Sequence, residues 1–272
     1  MRKGQGAAMG ETINLTVDRR GIARLVLNRP DRHNALDAGL MDGLTAAART
    51  LGADPAVRVV ILAAEGTTFC AGGDLNWMRA QVQGDRTTRT HEARRLAGML
   101  GALNALPKPL IGQVQGNAFG GGVGLMSVCD TVVVADHATF GLTETKLGLI
   151  AATIGPYVLA RLGEARARHV FYSSRTFGVA EALRLGLATR AVPAADLSAA
   201  VLAEALPYLD CAPGAGAEAK ALVAGLLRPV TLEMVELSIA ALVARWEHPE
   251  AAEGIAAFLA RRKPVWATGG GD

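Results

Sequence analysis

With 272 residues, half of them hydrophobic, the chain is long enough to bury a sizeable core as one large domain or two small ones. No window approaches the roughly 18 uninterrupted apolar residues of a membrane span. The net charge of +3 is modest and the arginines are scattered rather than blocked, which argues against nucleic-acid binding as the main role.

Residues 1–10 begin with Met1-Arg2-Lys3 but carry no apolar stretch behind them, so they read as a flexible tail rather than a secretory leader. Residues 12–17 and 22–27 predict two strands joined by the turn Asp18-Arg19-Arg20-Gly21. Helical spacing follows over 36–51, then a buried strand over 57–63. A polar amphipathic helix with Leu96, Leu100 and Leu103 on one face ends before Pro107, and a strand over 109–114 leads into a glycine-rich loop. Another strand covers 131–135. From about residue 154 the pattern turns to Ala/Leu/Arg-rich helices with breaks at Gly178, Pro193, Pro213 and Pro229. The alternation predicts an α/β class, stacked β-β-α turns followed by a helical region. Cys70, Cys129 and Cys211 are odd in number and lack Cys-x-x-Cys spacing, which argues against a disulfide framework or zinc site and fits a reducing cytoplasm.

Two loops carry the candidate chemistry: Phe69-Cys70-Ala71-Gly72-Gly73-Asp74-Leu75 and Gly116-Asn117-Ala118-Phe119-Gly120-Gly121-Gly122-Val123-Gly124. Each follows a buried strand and precedes a helix. Glycine there lets a ligand approach the backbone amides, and unpaired N–H groups where a helix begins favour developing negative charge. The dinucleotide pattern G-x-G-x-x-G, the phosphate loop with Gly-Lys and the G-x-S-x-G elbow are all missing, and His91-Glu92 lacks a second zinc-binding His. The five histidines, His33, His91, His137, His169 and His248, are dispersed and read as surface or packing residues. Carboxylates are left as the acid/base candidates.

These motifs resemble the crotonase (enoyl-CoA hydratase/isomerase) superfamily over nearly the whole chain. The likeness runs through Asn28-Arg29-Pro30 with Asn34-Ala35-Leu36, both glycine loops, Cys129-Asp130, and Phe140-Gly141-Leu142-Thr143-Glu144-Thr145-Lys146-Leu147-Gly148. It continues through 180–192 and from Glu253-Gly254-Ile255 to Arg262. The resemblance implies a crotonase-like spiral over 11–205 and a C-terminal helical region over 206–272 that serves oligomerisation and covers an active site. It also implies that the N–H groups of Gly73 and Gly121 hold the thioester oxygen of a CoA substrate, one such donor being worth roughly 3 kcal/mol of barrier. Ala71, Gly73, Asp74, Leu75, Asn76, Gly121 and Gly124 fall where family members line the substrate groove. Many members carry Lys at the position of Asn76, so Arg32 or Arg261, Arg262 and Lys263 stand as alternative phosphate contacts.

In the typical hydratase of this family two glutamates share the chemistry. Here Glu144 occupies the second position, while Gly124 stands at the first. Asp74 and Asp130 read as structural acids at element ends. A single base suits a 3-enoyl to 2-enoyl isomerase, yet the run from Gly141 to Ile150 resembles methylglutaconyl-CoA hydratases and related branched-chain enoyl-CoA hydratases. The expectation is therefore a hydratase acting on a 2-enoyl-CoA in fatty-acid or branched-chain amino-acid breakdown, with isomerase as the alternative and a non-catalytic binding protein behind both. The resemblance implies no cofactor beyond the CoA of the substrate, and a homotrimer or a hexamer built as a dimer of trimers. The space at Gly124 is expected to hold water or an acyl branch.

Overall fold

The computed structural model describes residues 12–226 and 231–266. The expected tail over 1–10 and the break at Pro229 lie outside the described residues.

Among the described residues, ten strands form two sheets. Strands β1 (Ile13–Val17) and β2 (Ile22–Leu27) make the antiparallel hairpin, closed where the Asp18 carboxylate accepts from the N–H groups of Arg20 and Ile22. Helix α1 (Ala38–Ala53) follows, then β3 (Val59–Ala64), β4 (Thr68–Cys70), α2 (Leu75–Gln83) and α3 (Arg86–Asn104). The next turn is β5 (Leu110–Val114), β6 (Asn117–Phe119) and α4 (Gly121–Ser127); the one after is β7 (Thr131–Ala135), β8 (Thr139–Gly141), α5 (Gly155–Leu162) and α6 (Glu164–Phe171). Strand β9 (Thr176–Gly178), α7 (Val179–Leu185), β10 (Arg190–Val192) and α8 (Leu197–Ala205) complete the spiral. The long sheet runs β1-β2-β3-β5-β7-β10, parallel from β2 onward, and the short one runs β4-β6-β8-β9.

Period-two alternation decides which way each residue of β3 faces. Val60 and Leu62 join the main core with Leu40 and Leu44 of α1 and Leu100 and Leu103 of α3. Val59, Ile61 and Ala63 face Leu197 and Val201 of α8. Both faces are covered, so the strand reads as an unbroken apolar run. The helix expected over 36–51 starts two residues later because the Asp37 side chain accepts from Leu40 N–H as its N-cap, while Leu36 bridges to Gly73.

Beyond the spiral stand α9 (Pro213–Leu226), α10 (Leu232–Glu247) and α11 (Pro249–Leu259). Helix α9 buries no residue and is tied down where Lys220 Nζ meets Asp130 Oδ2 at 2.7 Å. Helices α10 and α11 fold back on α2, α3 and the turn after β8 through Ile239, Leu242, Val243, Trp246, Ala251 and Ile255. Gly254 permits that approach, since a Cβ there would stand 2.5 Å from the Leu147 backbone.

Candidate active site

The short sheet positions the site. Strands β4, β6 and β8 run parallel, with Cys70 beside Ala118 and Phe119 beside Gly141, so their C-terminal ends lie together and each releases a loop into one place. These loops are residues 71–74, Gly120 with Gly121, and residues 142–144.

The first loop is fixed by the segment that precedes α1. Asn34, fully buried, donates from Nδ2 to the carbonyls of Glu65 and Thr68 and accepts from Arg29 N–H through Oδ1. Ala71 N–H donates to His33 C=O, Leu36 N–H to Gly72 C=O, and Asp74 N–H to Leu36 C=O. In this parallel bridge Gly73 turns its own N–H the other way, and no acceptor among the described residues takes it. Asp74 caps α2 by accepting from Asn76 and Trp77 N–H, and its Oδ2 lies 3.1 Å from Arg29. Asp74 is thus a structural acid, as its place at a helix start suggested. Asp130 is another, accepting from Leu110 N–H and Lys220.

The second loop meets the first backbone to backbone. A Cβ on Gly72 would stand 3.8 Å from Gly121 N, and one on Gly122 would stand 2.4 Å from Cys70 O, so a side chain there would force the loops apart. Gly121 opens α4, where the first N–H groups have no partner within the helix, and none outside it is present among the described residues. Gly120 holds φ +47°, and a Cβ on it would lie 2.8 Å from Glu144 Oε1. The Glu144 carboxyl therefore sits against the residue that leads into Gly121 N–H.

Glu144 begins a short 3-10 turn, Glu144–Leu147, after β8. Some of the residue reaches solvent, but Oε2 is buried and has no hydrogen-bond partner among the described residues. Burial in these apolar surroundings pushes the carboxyl up to about 7, opposed by its own backbone N–H. Among the described residues no positive charge counters it. Cys70 and Cys129 are buried and do not line this cavity, and burial pushes both thiols up to about 12. His33 donates to or accepts from Thr68 Oγ1, His137 sits by Asp136 and His169 by Glu181, all on the surface, while His248 caps α11.

Glu144, Ala71, Gly73, Asp74, Leu75 and Gly121 line one cavity of about 670 Å³. Part of its wall is apolar: Trp77 and Met78 from α2, Leu96 from α3, Leu242 and Trp246 from α10, and Phe258 from α11. Trp77 and Trp246 meet edge to face at 6.3 Å, and Glu92 Oε2 fixes Trp77 Nε1–H at 2.7 Å. Residues of α10 and α11 thus line the same cavity as Glu144. Two expected lining residues lie elsewhere. Asn76 borders a shallow depression beside Arg29 and Arg32. Gly124 is buried inside α4, and Ile154 fills the direction its side chain would take, so the open space expected there is already occupied. Thr153, Ile154 and the two tryptophans went unnoticed in the sequence because they come from segments whose packing no motif records.

A stacked β-β-α spiral that brings Gly73, Gly121 and Glu144 onto one cavity, lined also by the C-terminal helices, is a crotonase-fold architecture. The enoyl-CoA hydratase/isomerase family model matches residues 18–269, and the chain belongs to that family. It is 33% identical over 255 residues to "Probable enoyl-CoA hydratase echA8" of Mycobacterium bovis, covering 93% of this chain and 97% of that one. It is 32% identical to the mevalonyl-coenzyme A hydratase sidH of Aspergillus fumigatus, covering 90% and 91%. The crystal structure of an enoyl-CoA hydratase from Mycobacterium avium superposes with a TM-score of 0.83 at 30% identity, covering 95% of this chain and all (100%) of the other.

Proposed function

We propose that this enzyme adds water to a 2-enoyl-CoA thioester, with Gly73 and Gly121 N–H groups holding the carbonyl oxygen and Glu144 moving the protons. The observation that carries the reading is the unpaired Glu144 carboxyl, raised to about 7, packed against Gly120 beside the free Gly121 N–H. A base poised near neutral pH can both take and return a proton. As the water oxygen bonds to C3, its proton passes to Glu144 and the C2–C3 π pair moves toward C1, placing charge on the thioester oxygen. Glu144 then protonates C2 and the carbonyl re-forms. Backbone donors aimed at that oxygen lower the barrier, and side-chain substitution cannot delete them.

The CoA is part of the substrate, and Arg32, which borders both the cavity and the shallow depression, is the cation best placed for its phosphates. Arg262 is engaged by Glu253 and is a weaker candidate. For the acyl group, the apolar wall of Trp77, Leu96, Leu242 and Trp246 supports a branched, uncharged chain. A methylglutaconyl-type substrate brings a distal carboxylate, and the cations on the cavity, Arg32 and Lys146, are both exposed. Isomerisation of a 3-enoyl-CoA is the second reading, favoured by the packing of Ile154 where a second carboxylate would stand. Turnover of crotonyl-, 3-methylcrotonyl-, 3-methylglutaconyl- and 3-hexenoyl-CoA separates them: hydration of the first two supports this proposal, a 3-hexenoyl shift without hydration supports the isomerase, and no turnover supports a binding role.

The same reading includes a trimer, or a dimer of such trimers. Leu222, Leu226, Leu232, Leu237 and Val265 are all more than half exposed in the C-terminal region. Light scattering at monomer mass overturns it. Free cysteines fit a cytoplasmic site of action, and among the described residues no helix is long and apolar enough to cross a membrane.

A further inference from the structure

The cavity wall holds a second polar atom for which the chemistry above has no use. Thr153 is 2% exposed, lines the cavity, and its Oγ1 has no hydrogen-bond partner among the described residues. An unsatisfied buried hydroxyl costs roughly 1–3 kcal/mol, so such a group marks a place where something else completes the bond. Other polar side chains on the wall are accounted for. Both Asp74 oxygens are committed, to the α2 N–H groups and to Arg29. Asp31, Arg32, His33, Lys146 and Thr176 are exposed, and Thr143 keeps partial access to solvent. Among the described residues, Glu144 and Thr153 are therefore the two on this wall that carry a buried, unpaired side-chain oxygen.

The position of Thr153 in the chain matters as much as its burial. Its neighbour Ile154 is the residue that closes off Gly124, so the segment that excludes a second carboxylate also brings Thr153 to the cavity wall. Water addition needs two fixed points on the nucleophile: an acceptor for the proton that leaves and another for the O–H that stays with the product. One carboxylate supplies the first alone.

We propose that the Thr153 hydroxyl is the second water-holding group of this site, accepting the O–H that is retained while Glu144 takes the proton that is transferred. The assignment rests on the hydratase reading. No proton is gained or lost by Thr153: the water O–H facing Glu144 breaks, the C3–O bond forms, the π pair moves toward the thioester oxygen, and Glu144 delivers the proton to C2.

The test uses the full chain and two variants, Thr153→Val, which keeps the shape, and Thr153→Ser, which keeps the hydroxyl. Two rates are read: hydration of crotonyl-CoA by loss of enoyl-thioester absorbance, and exchange of the C2 protons of butanoyl-CoA in deuterium oxide by proton NMR, which uses the oxyanion donors and Glu144 but adds no water. Thr153→Val should lower kcat for hydration by roughly 10- to 100-fold, between the loss of one neutral hydrogen bond and of one oxyanion donor. Exchange should stay within about twofold of wild type, and Thr153→Ser should keep most of the hydration. Undiminished hydration in Thr153→Val overturns the proposal. Parallel loss of hydration and exchange also overturns it, because the hydroxyl would then serve packing. Wild type that exchanges but hydrates no enoyl-CoA overturns the hydratase reading itself.

Discussion

Ile154 Cγ2 lies 2.7 Å from the place a Cβ on Gly124 would take, and Leu100 Cδ2 closes the same direction at 3.6 Å. Real contacts do not approach so closely, so any side chain at Gly124 displaces the core between α4 and α5. Gly124→Glu alone should lower stability by about 1–3 kcal/mol or more from overpacking, before the cost of burying a carboxylate, and should lose turnover with it. Gly124→Glu combined with Ile154→Ala should regain the fold and hydrate crotonyl-CoA faster than Ile154→Ala alone. Thermal melts with crotonyl-CoA kinetics on the three variants check this.

Gly120 precedes Gly121 in the chain and packs against the Glu144 carboxyl. An alanine there meets the strain of φ +47° and puts its methyl 2.8 Å from Glu144 Oε1, so the carboxyl must move. Gly120→Ala should cut kcat for hydration at least tenfold, because misplacing a base by a fraction of an ångström is already costly, while CoA-ester affinity falls much less. Equal kcat in the variant, measured at saturating crotonyl-CoA, would separate Glu144 from the reaction.

Asp74 offers the opposite case, an acid in the cavity wall whose two oxygens are both engaged by partners. Asp74→Ala removes the α2 N-cap and the contact to Arg29, which keeps Asp37 at 2.9 Å. The expected loss is about 1–3 kcal/mol of stability, from a cap and a partly buried ion pair, with turnover reduced but present. Complete loss of turnover with an unchanged melting temperature would make Asp74 a catalytic acid instead.

How much of this was legible beforehand depends on the kind of force involved. The hairpin, the strand over 131–135 and the apolar runs of β3 and β5 were readable because burial imposes a pattern on five or more residues. The second sheet was not: β4, β6, β8 and β9 have three residues each, too few for any periodicity. Yet these strands gather the loops. The glycines of both loops were legible as a candidate backbone-built site because two such loops share one context, after a buried strand and before a helix, and Glu144 through its motif. Ile154 packing on Gly124 and Trp246 folding back from α10 are contacts between distant segments, and no local signal encodes them.

The pH behaviour of Glu144 joins function to stability. Its carboxyl titrates at about 7 in the folded chain, against an ordinary glutamate value of 4.5. The base form exists above that pH, so kcat/KM for hydration should fall as pH drops through about 7, and Glu144→Gln should abolish turnover while retaining CoA-ester binding. Stability moves the other way. A folded-state value raised above the unfolded one gives a contribution that is complete below pH 4.5 and lost as pH rises through about 7, because the folded chain must then bury a charge that the unfolded chain leaves in water. The loss is on the order of 3 kcal/mol. Glu144→Gln carries no charge at any pH, so its advantage over wild type should be absent at pH 4.5, grow through pH 7 and level off above it. Melting temperatures of both proteins between pH 5 and pH 8.5 measure that divergence. Parallel curves would mean that Glu144 is not buried as the site requires, and an inactive variant with parallel curves would place the proton transfer on a solvated carboxylate.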